Sequence, residues 1–445
     1  MRRGKKSKKE EKKRKKIVVD FQPLSGYYST MISRHITSTL LKALADTPVV
    51  LLTGARQTGK STLVKTIASH HHPARYMTLD DFSVLTAVRR DPAGFLAGFH
   101  EPLVIDEVQK ATDLFVAIKA SVDRDRQPWR FLLTGSANIL LLPRLSESLA
   151  GRMEILNLWP FSQGELIGST ERFVDTIFED KFPLPKVARK NHFDIMQKVI
   201  AGGYPEAILR KAPGRRRAWF SSYITAILQL DILELANIEG LADVPKLLTL
   251  IAVRVPTLLN LAELSRTAAI PQTTLKRYIT LLEATFLIHK LQPWFGHLGK
   301  RLVKTPKLIL SDTGLKAHLL GAGTERMIQN GLIGPYLENF VAMELRKQIT
   351  WSECQPQMYH FRTQTGHEVD IVLEDARGKV VGIEVKSGTR LGEQDFKGLR
   401  VLKEVAGEHF QRGIVLYTGS EVIPFGLNLY ALPMDHLWSS ERSLE

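Results

Sequence analysis

Short apolar runs alternate with amphipathic stretches through the first third of the chain. The run at 48–54, PVVLLTG, is almost continuously apolar and ends in glycine, and further strand-like runs are ARYMTLDD, PLVIDE and RFLLTGSAN. Residues 33–46 and the stretch STLVKTIASH have the spacing of helices. Continuous apolar strands that alternate with helices are typical of a parallel sheet buried on both faces. We therefore predict an α/β domain with functional loops at the carboxyl edge of its strands.

After about residue 170 the pattern of the chain changes. Amphipathic stretches such as FDIMQKVIAGGYPEAILRK and WFSSYITAILQLDILELANI predict helices, without strand-like runs between them. Residues 259–321 have the pattern of a winged helix, and from 330 onward helices and strands are mixed in an α+β arrangement. We expect a helical region, a winged helix and an α+β domain to follow the α/β core.

The winged-helix segment offers a candidate surface for DNA. LAELSRTA is the predicted first helix, AIP the turn and QTTLKRYITLLEATF the second helix, with a buried face that carries Leu275, Tyr278, Leu281 and Leu282. The side chains that would meet DNA from the second helix and the wing are Thr273, Lys276, Arg277, Lys300, Arg301, Lys304 and Lys307. The alternatives are an ordinary solvated face and a winged helix that contacts protein.

The segment GARQTGKS, residues 54–61, has the spacing G-x-x-x-x-G-K-[ST] between a predicted strand and a predicted helix. The backbone N–H groups of such a loop point inward, and the helix N-terminus adds a positive dipole, so the loop cradles polyphosphate. We expect Lys60 to reach the β- and γ-phosphates of ATP and Ser61 to place its hydroxyl on Mg²⁺.

Two later strand ends complete the predicted ATP site. PLVIDE ends in Asp106, which meets Mg²⁺ through water, and in Glu107, which polarises the attacking water. LLTGSAN brings Ser136 and Asn138 to the next strand end, within reach of the γ-phosphate. Arg152, in LAGRMEIL, is the candidate that senses or completes hydrolysis, in cis or from a neighbouring molecule; the alternative is a surface arginine.

A charged hairpin occupies residues 366–388, GHEVDIVLEDARGKVVGIEVKSG. A three-residue loop at 376–378, with Gly378 in the left-handed conformation, sets a register that places Ile371 opposite Ile383 on the core side. The register decides which charged residues face each other on the opposite side of the hairpin.

On that opposite side, Asp370 lies directly across from Glu384, and Lys386 projects from the same face two residues further on. Like charges that face each other across a sheet repel, so two carboxylates beside an ammonium favour a site for a hard cation. The alternative is that Lys386 simply pairs with one of the carboxylates.

Together these motifs resemble those of prokaryotic and archaeal-type ATPases of the AAA superclass that carry a C-terminal domain of unknown function similar to restriction endonucleases. The matching segments, from about Met31 to about 415, are VVLLTGARQTGKSTL, YMTLDD, PLVIDEVQK, FLLTGSAN, SLAGRMEIL, GGYPEA, TTLKRYITLLEATFLIHKL, KRLVKTPKLILSDTGL, GPYLENFVAMEL and GHEVDIVLE with GIEVKSG. The resemblance implies Mg²⁺ at Ser61 and Asp106 and a helical lid after the core. It also implies that ATP is bound by Gly54, Ala55, Arg56, Gln57, Thr58, Gly59, Lys60, Ser61 and Thr62.

The hairpin has the spacing of the PD-(D/E)xK nucleases that this family resembles. The resemblance implies that Asp370 and Glu384 hold Mg²⁺ or Mn²⁺ and that Lys386 orients the attacking water or helps to deprotonate it. Its fourth member is an acid on the preceding helix, where Glu338 fits by position and Glu344 is the reserve. The two lie six residues apart and cannot share a helix face. The alternative is a nuclease-like fold that binds without cutting.

The predicted fold class is therefore α/β, with a parallel-sheet P-loop core, a helical lid and a winged helix, followed by an α+β domain that resembles restriction endonucleases. The predicted segments are a basic disordered tail at 1–30, a P-loop ATPase core at 31–170, a helical lid at 171–250, a winged helix at 251–322 and a nuclease-like domain at 323–445.

Charge is concentrated at the start of the chain. Residues 1–16 contain 11 basic and 2 acidic residues, and the whole chain has a net charge of +15. Such a run cannot bury apolar area, so we expect a disordered tail that binds nucleic acid or an anionic membrane, or is simply solvated. A third option is that translation starts at Met31. No apolar run reaches the ~18 residues that cross a bilayer, and the single Cys354 fits a reducing compartment, so we expect a cytoplasmic protein without a membrane span.

The leading hypothesis is an ATPase whose nucleotide state controls engagement of nucleic acid by its C-terminal half, with metal-dependent cleavage as a candidate activity. The rival is a non-nucleolytic ATP switch that binds a protein partner or further copies of the chain. A DNA-translocating motor is less well supported, because the sequence offers no dedicated loops for a strand channel.

Overall fold

The structure, a computed structural model, describes residues 32–138, 151–182, 192–232, 243–295, 305–321, 323 and 333–439. The elements below belong to the unit that begins at Arg34. The predicted basic tail and the predicted wing residues Lys300, Arg301 and Lys304 lie outside the described residues. None of the described helices is long and apolar enough to cross a membrane.

The apolar runs of the first third form one parallel sheet. Its strands are β1 (Val49–Thr53), β2 (Arg75–Thr78), β3 (Leu103–Asp106), β4 (Phe131–Gly135) and β5 (Met153–Asn157). They are ordered β2-β3-β4-β1-β5, and all neighbouring pairs are parallel. The predicted parallel α/β core is confirmed, and the carboxyl ends of its strands meet at one edge.

Helices cover both faces of this sheet, which explains why its central strands are continuously apolar. The helices are α1 (Thr37–Asp46), α2 (Lys60–His70), α3 (Phe82–Arg90), α4 (Pro92–Ala97) and α5 (Leu114–Arg124). One face packs against apolar side chains of α1 and α2, and the other packs against α3, α4 and α5. Every residue of β1, β3 and β4 is buried.

The middle of the described chain is mostly helical. Its helices are α6 (Gln163–Ile167), α7 (Phe173–Thr176), α8 (His192–Ala201), α9 (Pro205–Ile208), α10 (Pro213–Ala226) with a π-helical extension (Ile227–Asp231), and α11 (Val244–Arg254). They are followed by α12 (Leu261–Ala268), α13 (Gln272–Ala284) and the antiparallel strands β6 (Ile288–Pro293) and β7 (Lys307–Leu310). These last four elements lie where the sequence predicts the two helices and the wing.

Helix α13 has one buried face and one exposed face. The four predicted apolar residues are buried, namely Leu275, Tyr278, Leu281 and Leu282. Thr273, Lys276 and Arg277 are exposed on the outer face. This arrangement is compatible with DNA contact and equally with a solvated surface.

The C-terminal part is built on a mixed sheet, as predicted. It contains α14 (Thr313–Leu319), α15 (Ile333–Ile349), β8 (Gln357–Arg362), β9 (Glu368–Glu374), β10 (Val380–Lys386), α16 (Lys397–Ala406), β11 (Phe410–Tyr417), β12 (Ile423–Gly426) and β13 (Leu429–Pro433). Short 3₁₀ helices cover Val108–Lys110, Glu393–Phe396, Gly407–His409 and Met434–Leu437. The strand order is β12-β13-β11-β10-β9-β8-β6-β7, so β6 and β7 extend the C-terminal sheet. The sequence does not indicate this extension.

The hairpin β9–β10 has the predicted register. Ile371 pairs with Ile383 and Leu373 pairs with Val381. Gly378 has a φ of +79°, which is the left-handed conformation that the three-residue loop requires. This prediction is confirmed because a short glycine turn fixes which residues face each other.

The contribution of His360 to the free energy of unfolding is expected to fall as the pH drops from about 6.5 to about 4. His360 is 1% exposed, and burial lowers its pKa from the usual 6.5 to about 4; burial also lowers the pKa of His289. In this interval His360 binds more protons in the unfolded chain than in the folded chain, which amounts to about 3 kcal/mol. The buried acids Glu338, Glu344 and Glu384, whose pKa values are raised, act in the opposite direction. Urea denaturation of the wild type and of the His360→Gln variant at a series of pH values measures this contribution as the difference between the two proteins. His360→Gln should reduce it, whereas substitution of the exposed His71 should not; equal slopes in both variants would contradict the prediction.

Candidate functional site

The phosphate loop lies between β1 and α2, at the carboxyl edge of the first sheet. Gly54 has a φ of +151°, and a Cβ at this position would collide with the carbonyl oxygen of Leu158, so glycine is required. Gly59, with a φ of +98°, ends the loop at the N-terminus of α2. Lys60 is 4% exposed, and its Nζ donates hydrogen bonds to the carbonyl oxygens of Gly54 at 2.8 Å and Ala55 at 2.9 Å. The loop therefore curls around the Lys60 ammonium.

The remaining loop residues line the same turn. Ala55 and Thr58 are buried, Arg56 and Ser61 are partly buried, and Gln57 and Thr62 are exposed. The Thr58 hydroxyl donates to the carbonyl oxygen of Ala55 at 2.9 Å, which closes the loop on itself. The predicted segment thus forms one loop and the first turn of a helix, the arrangement that binds phosphate at a helix N-terminus.

Asp106 is the last residue of β3 and is almost completely buried. Its Oδ2 accepts a hydrogen bond from the Tyr76 hydroxyl at 2.6 Å, and its Oδ1 accepts one from the Thr134 hydroxyl. Burial, followed by the hydrogen bond to Asp106, raises the pKa of Tyr76, so the phenol remains a donor. The sequence does not reveal these two hydroxyls, which lie beside Asp106 because β2 and β4 flank β3.

Glu107 follows in a left-handed backbone conformation with a φ of +60°, which is uncommon for a residue other than glycine. Its N–H donates to the Thr134 hydroxyl at 3.1 Å. Its Oε2 accepts hydrogen bonds from the Ser136 hydroxyl at 3.1 Å and from the Gln109 amide. Strained backbone of this kind is frequent at active sites. The structure therefore brings Glu107 and Ser136 together at the edge where the γ-phosphate of ATP is expected.

Asn138 follows the carboxyl end of β4, whereas Arg152 precedes the amino end of β5. The backbone N–H of Asn138, three residues beyond β4, donates to the carbonyl oxygen of Ala284 at 2.7 Å, so this strand end touches the last residue of α13. Arg152 directly precedes β5, which runs parallel to β1, and it therefore lies at the amino edge of the sheet. Its guanidinium pairs with Asp123 of α5. In its own chain Arg152 therefore lies at the edge of the sheet opposite the phosphate loop.

Arg34 is a contact of the phosphate loop that no sequence motif indicates. Its guanidinium donates to the carbonyl oxygens of Thr58 at 2.8 Å and Trp159 at 2.6 Å, and it pairs with Glu165 at 3.0 Å. Glu165 in turn forms a capping box with Ser162 at the start of α6. A single guanidinium thus ties the phosphate loop to the segment that follows β5.

A cleft of about 310 Å³ lies beside the C-terminal sheet and is lined by Pro256, Thr257, Leu258, Glu338, Arg362, Glu368, Asp370 and Glu384. The Asp370 N–H donates to Glu384 Oε2 at 3.3 Å, and the Val385 N–H donates to Asp370 Oδ2 at 2.9 Å. The structure therefore brings the predicted acids of β9, β10 and α15 together. It adds Glu368, which the nuclease-like spacing does not include.

The crowding of these carboxylates changes how readily they ionise. Burial raises the pKa of Asp370. Burial, followed by the charge of Asp370, raises the pKa of Glu338 and of Glu384, each to about 8. Lys386 Nζ donates to Glu384 Oε1 at 2.9 Å and offsets part of this charge. The cleft therefore favours a cation.

Lys307, on β7, lies among the same carboxylates. Its Nζ is 2.9 Å from Glu338 Oε1, 2.6 Å from Glu368 Oε1 and 3.7 Å from Asp370 Oδ1. The side chain is 2% exposed, so the expected contact of Lys307 with DNA does not hold in this arrangement. Among the described residues, no group of three or more His, Cys, Asp or Glu side chains has the arrangement of a metal site.

Glu344, the reserve for the helix acid, does not line this cleft. It is fully buried; its Oε2 accepts a hydrogen bond from the Gln163 N–H at 2.9 Å, and its Oε1 pairs with Lys347 at 2.6 Å. Lys347 also donates to the carbonyl oxygen of Phe161 at 2.8 Å. Burial raises the pKa of Glu344 to about 7. Helix α15 thus carries Glu338 in the cleft and, on another face, a contact with the segment after β5.

The chain matches three family descriptions in succession. Residues 46–167 match an AAA domain, residues 192–326 match a domain of unknown function (DUF8612), and residues 333–437 match another (DUF4143). The first range contains the five parallel strands and the phosphate loop. The third contains α15 and the strands β8 to β13.

Two solved structures are similar to parts of the chain. The Walker-type ATPase PABY2304 of Pyrococcus abyssi has 15% identity and a TM-score of 0.41, over 65% of this chain and 96% of that chain. AMPPCP-bound DnaA from Aquifex aeolicus has 12% identity and a TM-score of 0.28, over 56% of this chain and 85% of that chain.

Two bacterial proteins are similar in sequence over most of the chain. An uncharacterized protein of Haemophilus influenzae is 24% identical over 351 residues, which span 72% of this chain and 79% of that protein. Uncharacterized protein Rv2008c of Mycobacterium tuberculosis is 31% identical over 407 residues, which span 91% of this chain and 84% of that protein. The chain therefore belongs to the same family as the Mycobacterium tuberculosis protein, and its N-terminal part is an AAA-type P-loop ATPase domain.

Proposed function

We propose that the chain hydrolyses ATP at the carboxyl edge of its first sheet. The observation that carries this proposal is the convergence of the phosphate loop with Asp106 and Glu107 at that edge. The backbone of residues 54–62 cradles the phosphates, and Lys60 meets the β- and γ-phosphates. Glu107 polarises the attacking water, and Ser136 borders the γ-phosphate.

Ser61 and Asp106 are the residues that hold Mg²⁺ in this proposal. Hydroxyl and carboxylate oxygens are the hard ligands that this ion prefers, and the hydroxyls of Tyr76 and Thr134 fix the position of the Asp106 carboxylate. When bound, Mg²⁺ neutralises charge on the β- and γ-phosphates. A contribution of Arg152 requires a second copy of the chain, because in its own chain Arg152 lies at the opposite edge of the sheet.

Replacing Glu107 by glutamine is expected to lower the rate of ATP hydrolysis by about 10²- to 10³-fold and to leave ATP binding intact. Glutamine preserves the size of the side chain but loses the negative charge that polarises water. Phosphate release and equilibrium binding of ATP measure the two effects separately.

The matched control is Glu101→Gln, which alters an exposed carboxylate that pairs with Arg75 at 3.5 Å. This control should hydrolyse ATP at the wild-type rate. Wild-type turnover in Glu107→Gln would contradict the role given to Glu107.

We further propose that the nucleotide site acts on the acidic cleft through helix α15. One face of α15 supplies Glu338 to the cleft, and another face holds the segment 161–163 through Glu344. The capping box of that segment pairs with Arg34, and Arg34 donates to the Thr58 carbonyl in the phosphate loop. This chain of buried contacts supports coupling, because a movement of the loop displaces the start of α6 and with it α15.

A second contact supports the same coupling. Asn138, beside the expected γ-phosphate, is hydrogen bonded to Ala284 at the end of α13. Helix α13 leads directly into β6, and the strand paired with β6 carries Lys307 into the cleft. Both routes therefore end at the same group of carboxylates.

The acidic cleft is proposed to act on phosphodiesters of nucleic acid. Asp370 and Glu384 supply the carboxylates for Mg²⁺ or Mn²⁺, Glu338 adds the helix acid, and Lys386 holds the attacking water. When bound, the divalent ion activates that water and stabilises the developing charge. The exposed basic face of α13 supports this proposal, because lysine and arginine are the usual contacts of phosphate groups.

A non-nucleolytic switch is the second candidate function. The observation that favours it is that the carboxylate oxygens of Asp370 and Glu384 already face protein donors, namely Lys307, Lys386 and two backbone N–H groups. In this case ATP changes the surface that the C-terminal half presents to a protein partner. A cleavage assay with an Asp370 variant separates the two candidates.

A further inference from the structure

Lys307 reaches the acidic cleft from outside the nuclease-like spacing. It is the first residue of β7, whose partner β6 also pairs with β8 at the edge of the C-terminal sheet. Leu258, which lines the cleft, is bridged to Lys307 by the backbone. The side chain is therefore delivered by the middle region of the chain, while the carboxylates belong to α15 and β9.

The Lys307 ammonium lies where three carboxylates of the cleft converge. Three carboxylates surround it, with oxygens of Glu338 at 2.9 Å, Glu368 at 2.6 Å and Asp370 at 3.7 Å. A divalent ion in the same group would sit about 2.0–2.6 Å from such oxygens. Two cations at so short a separation repel each other strongly in a buried site, so the carboxylates hold either the ammonium or the metal ion.

The balance of charges agrees with an ammonium that stays protonated. Burial by itself lowers the pKa of Lys307, but the charges of Glu338, Asp370 and Glu368 outweigh this effect and raise it. Lys307 lies 2% exposed, in contrast to Lys386, whose side chain is 32% exposed and contacts Glu384 alone among the ion pairs described. Lys307 therefore acts as the built-in counter-ion of the acidic group.

We propose that Lys307 is an autoinhibitory cation, which occupies the divalent-metal position of the acidic cleft and has to withdraw before Mg²⁺ or Mn²⁺ enters. This inference rests on the proposed capacity of Asp370 and Glu384 to bind a divalent ion. Displacement of β7, rather than titration of an acid, opens the site.

Binding of Mn²⁺ to the full-length protein tests the inference. The parent protein carries Ser61→Ala, so that the phosphate loop contributes no metal, and the titration is performed calorimetrically without nucleotide. In this background, Lys307→Met is expected to bind one further Mn²⁺ ion, with an affinity at least tenfold higher than that of the parent for an ion at the same cleft. Lys307→Arg, the matched control, keeps the positive charge and should behave like the parent.

Asp370→Asn added to Lys307→Met locates the new site. It should abolish the gained Mn²⁺ binding, and gained binding that survives it overturns the inference. Failure of Lys307→Met to bind more Mn²⁺ than the parent also overturns it. If Lys307→Met folds poorly, Mn²⁺ binding to the parent protein, which retains Lys307, decides the question. Tight Mn²⁺ binding by the parent that Asp370→Asn removes contradicts the inference. A parent protein that shows no such tight binding agrees with it.

The result is distinguishable from that of the cleavage proposal. A Lys307→Met protein that binds Mn²⁺ through Asp370 but cuts no nucleic acid would support the role of Lys307 and contradict the proposed nuclease activity. A wild-type protein that cuts nucleic acid and binds Mn²⁺ as tightly as Lys307→Met would support the proposed nuclease activity and contradict the autoinhibitory role of Lys307.

Discussion

Replacing Lys60 by alanine is expected to abolish measurable ATP hydrolysis, with a loss of at least about 10²- to 10³-fold. The Lys60 ammonium is buried inside the phosphate loop, where the carbonyl oxygens of Gly54 and Ala55 hold it. In that position we expect it to balance the charge of the β- and γ-phosphates, which alanine would leave without a partner. Phosphate release measures hydrolysis, and calorimetry measures the accompanying loss of ATP affinity.

The control for this prediction is Lys42→Ala, which removes an exposed lysine of α1 on the same domain. Both variants should keep a cooperative unfolding transition, so that a loss of activity is not a loss of fold. Hydrolysis of ATP by Lys60→Ala at a rate close to that of the wild type would contradict the assignment of residues 54–62 as the phosphate loop. It would also contradict the proposed ATP site as a whole.

Metal-dependent cleavage of DNA or RNA is expected in the wild type once Lys307 has withdrawn from the cleft, and it is expected to be lost in Asp370→Asn, by about 10²-fold or more. Asp370 contacts several members of the cleft. Its backbone N–H donates to Glu384, and its side chain faces Lys307 and accepts a hydrogen bond from the Val385 N–H. Asparagine keeps the shape of the side chain but loses its negative charge and one of its two oxygen ligands. Gel assays with Mg²⁺ or Mn²⁺, with and without ATP, measure the activity.

Glu374→Gln is the matched control, because Glu374 is the last residue of the same strand, at the end remote from the cleft. Cleavage that is equal in Asp370→Asn and wild type would exclude this cleft as the site. An absence of cleavage in all variants would instead favour the non-nucleolytic switch.

The parts of the fold that depend on local patterns are predictable from the sequence. The phosphate loop requires a glycine at each end, and both Gly54 and Gly59 have positive φ angles. The hairpin β9–β10 follows from one glycine turn, since a three-residue loop fixes every pair beyond it. Local geometry therefore brings Asp370 and Glu384 together without knowledge of the rest of the chain.

The contacts that join distant segments are not predictable in this way. Lys307 is separated by 31 residues from Glu338, and nothing in its neighbourhood distinguishes it from a solvated lysine. Its burial follows from the pairing of β6 with β8, which no pattern in either strand specifies. Arg34 likewise lies 131 residues from Glu165, outside any motif.

Helix geometry predicts that the two candidate acids on α15, Glu338 and Glu344, lie on different faces, but it does not predict which of them lines the cleft. Six residues separate Glu338 and Glu344, so the sequence correctly assigns them to different faces. It does not say what each face meets. The structure gives Glu338 to the cleft and Glu344 to the N–H of Gln163, which turns the reserve candidate into a link with the ATPase domain.

Amide hydrogen exchange of helix α15 most directly tests the claim that the phosphate loop and the acidic cleft are coupled. We expect Glu107→Gln to hold ATP without rapid turnover. In this variant Mg-ATP is expected to slow exchange in residues 54–62 and to change it several-fold in residues 333–349 and 368–374. Lys60→Ala should show neither change. A response confined to residues 54–62, with α15 and β9 unaltered, would contradict the coupling.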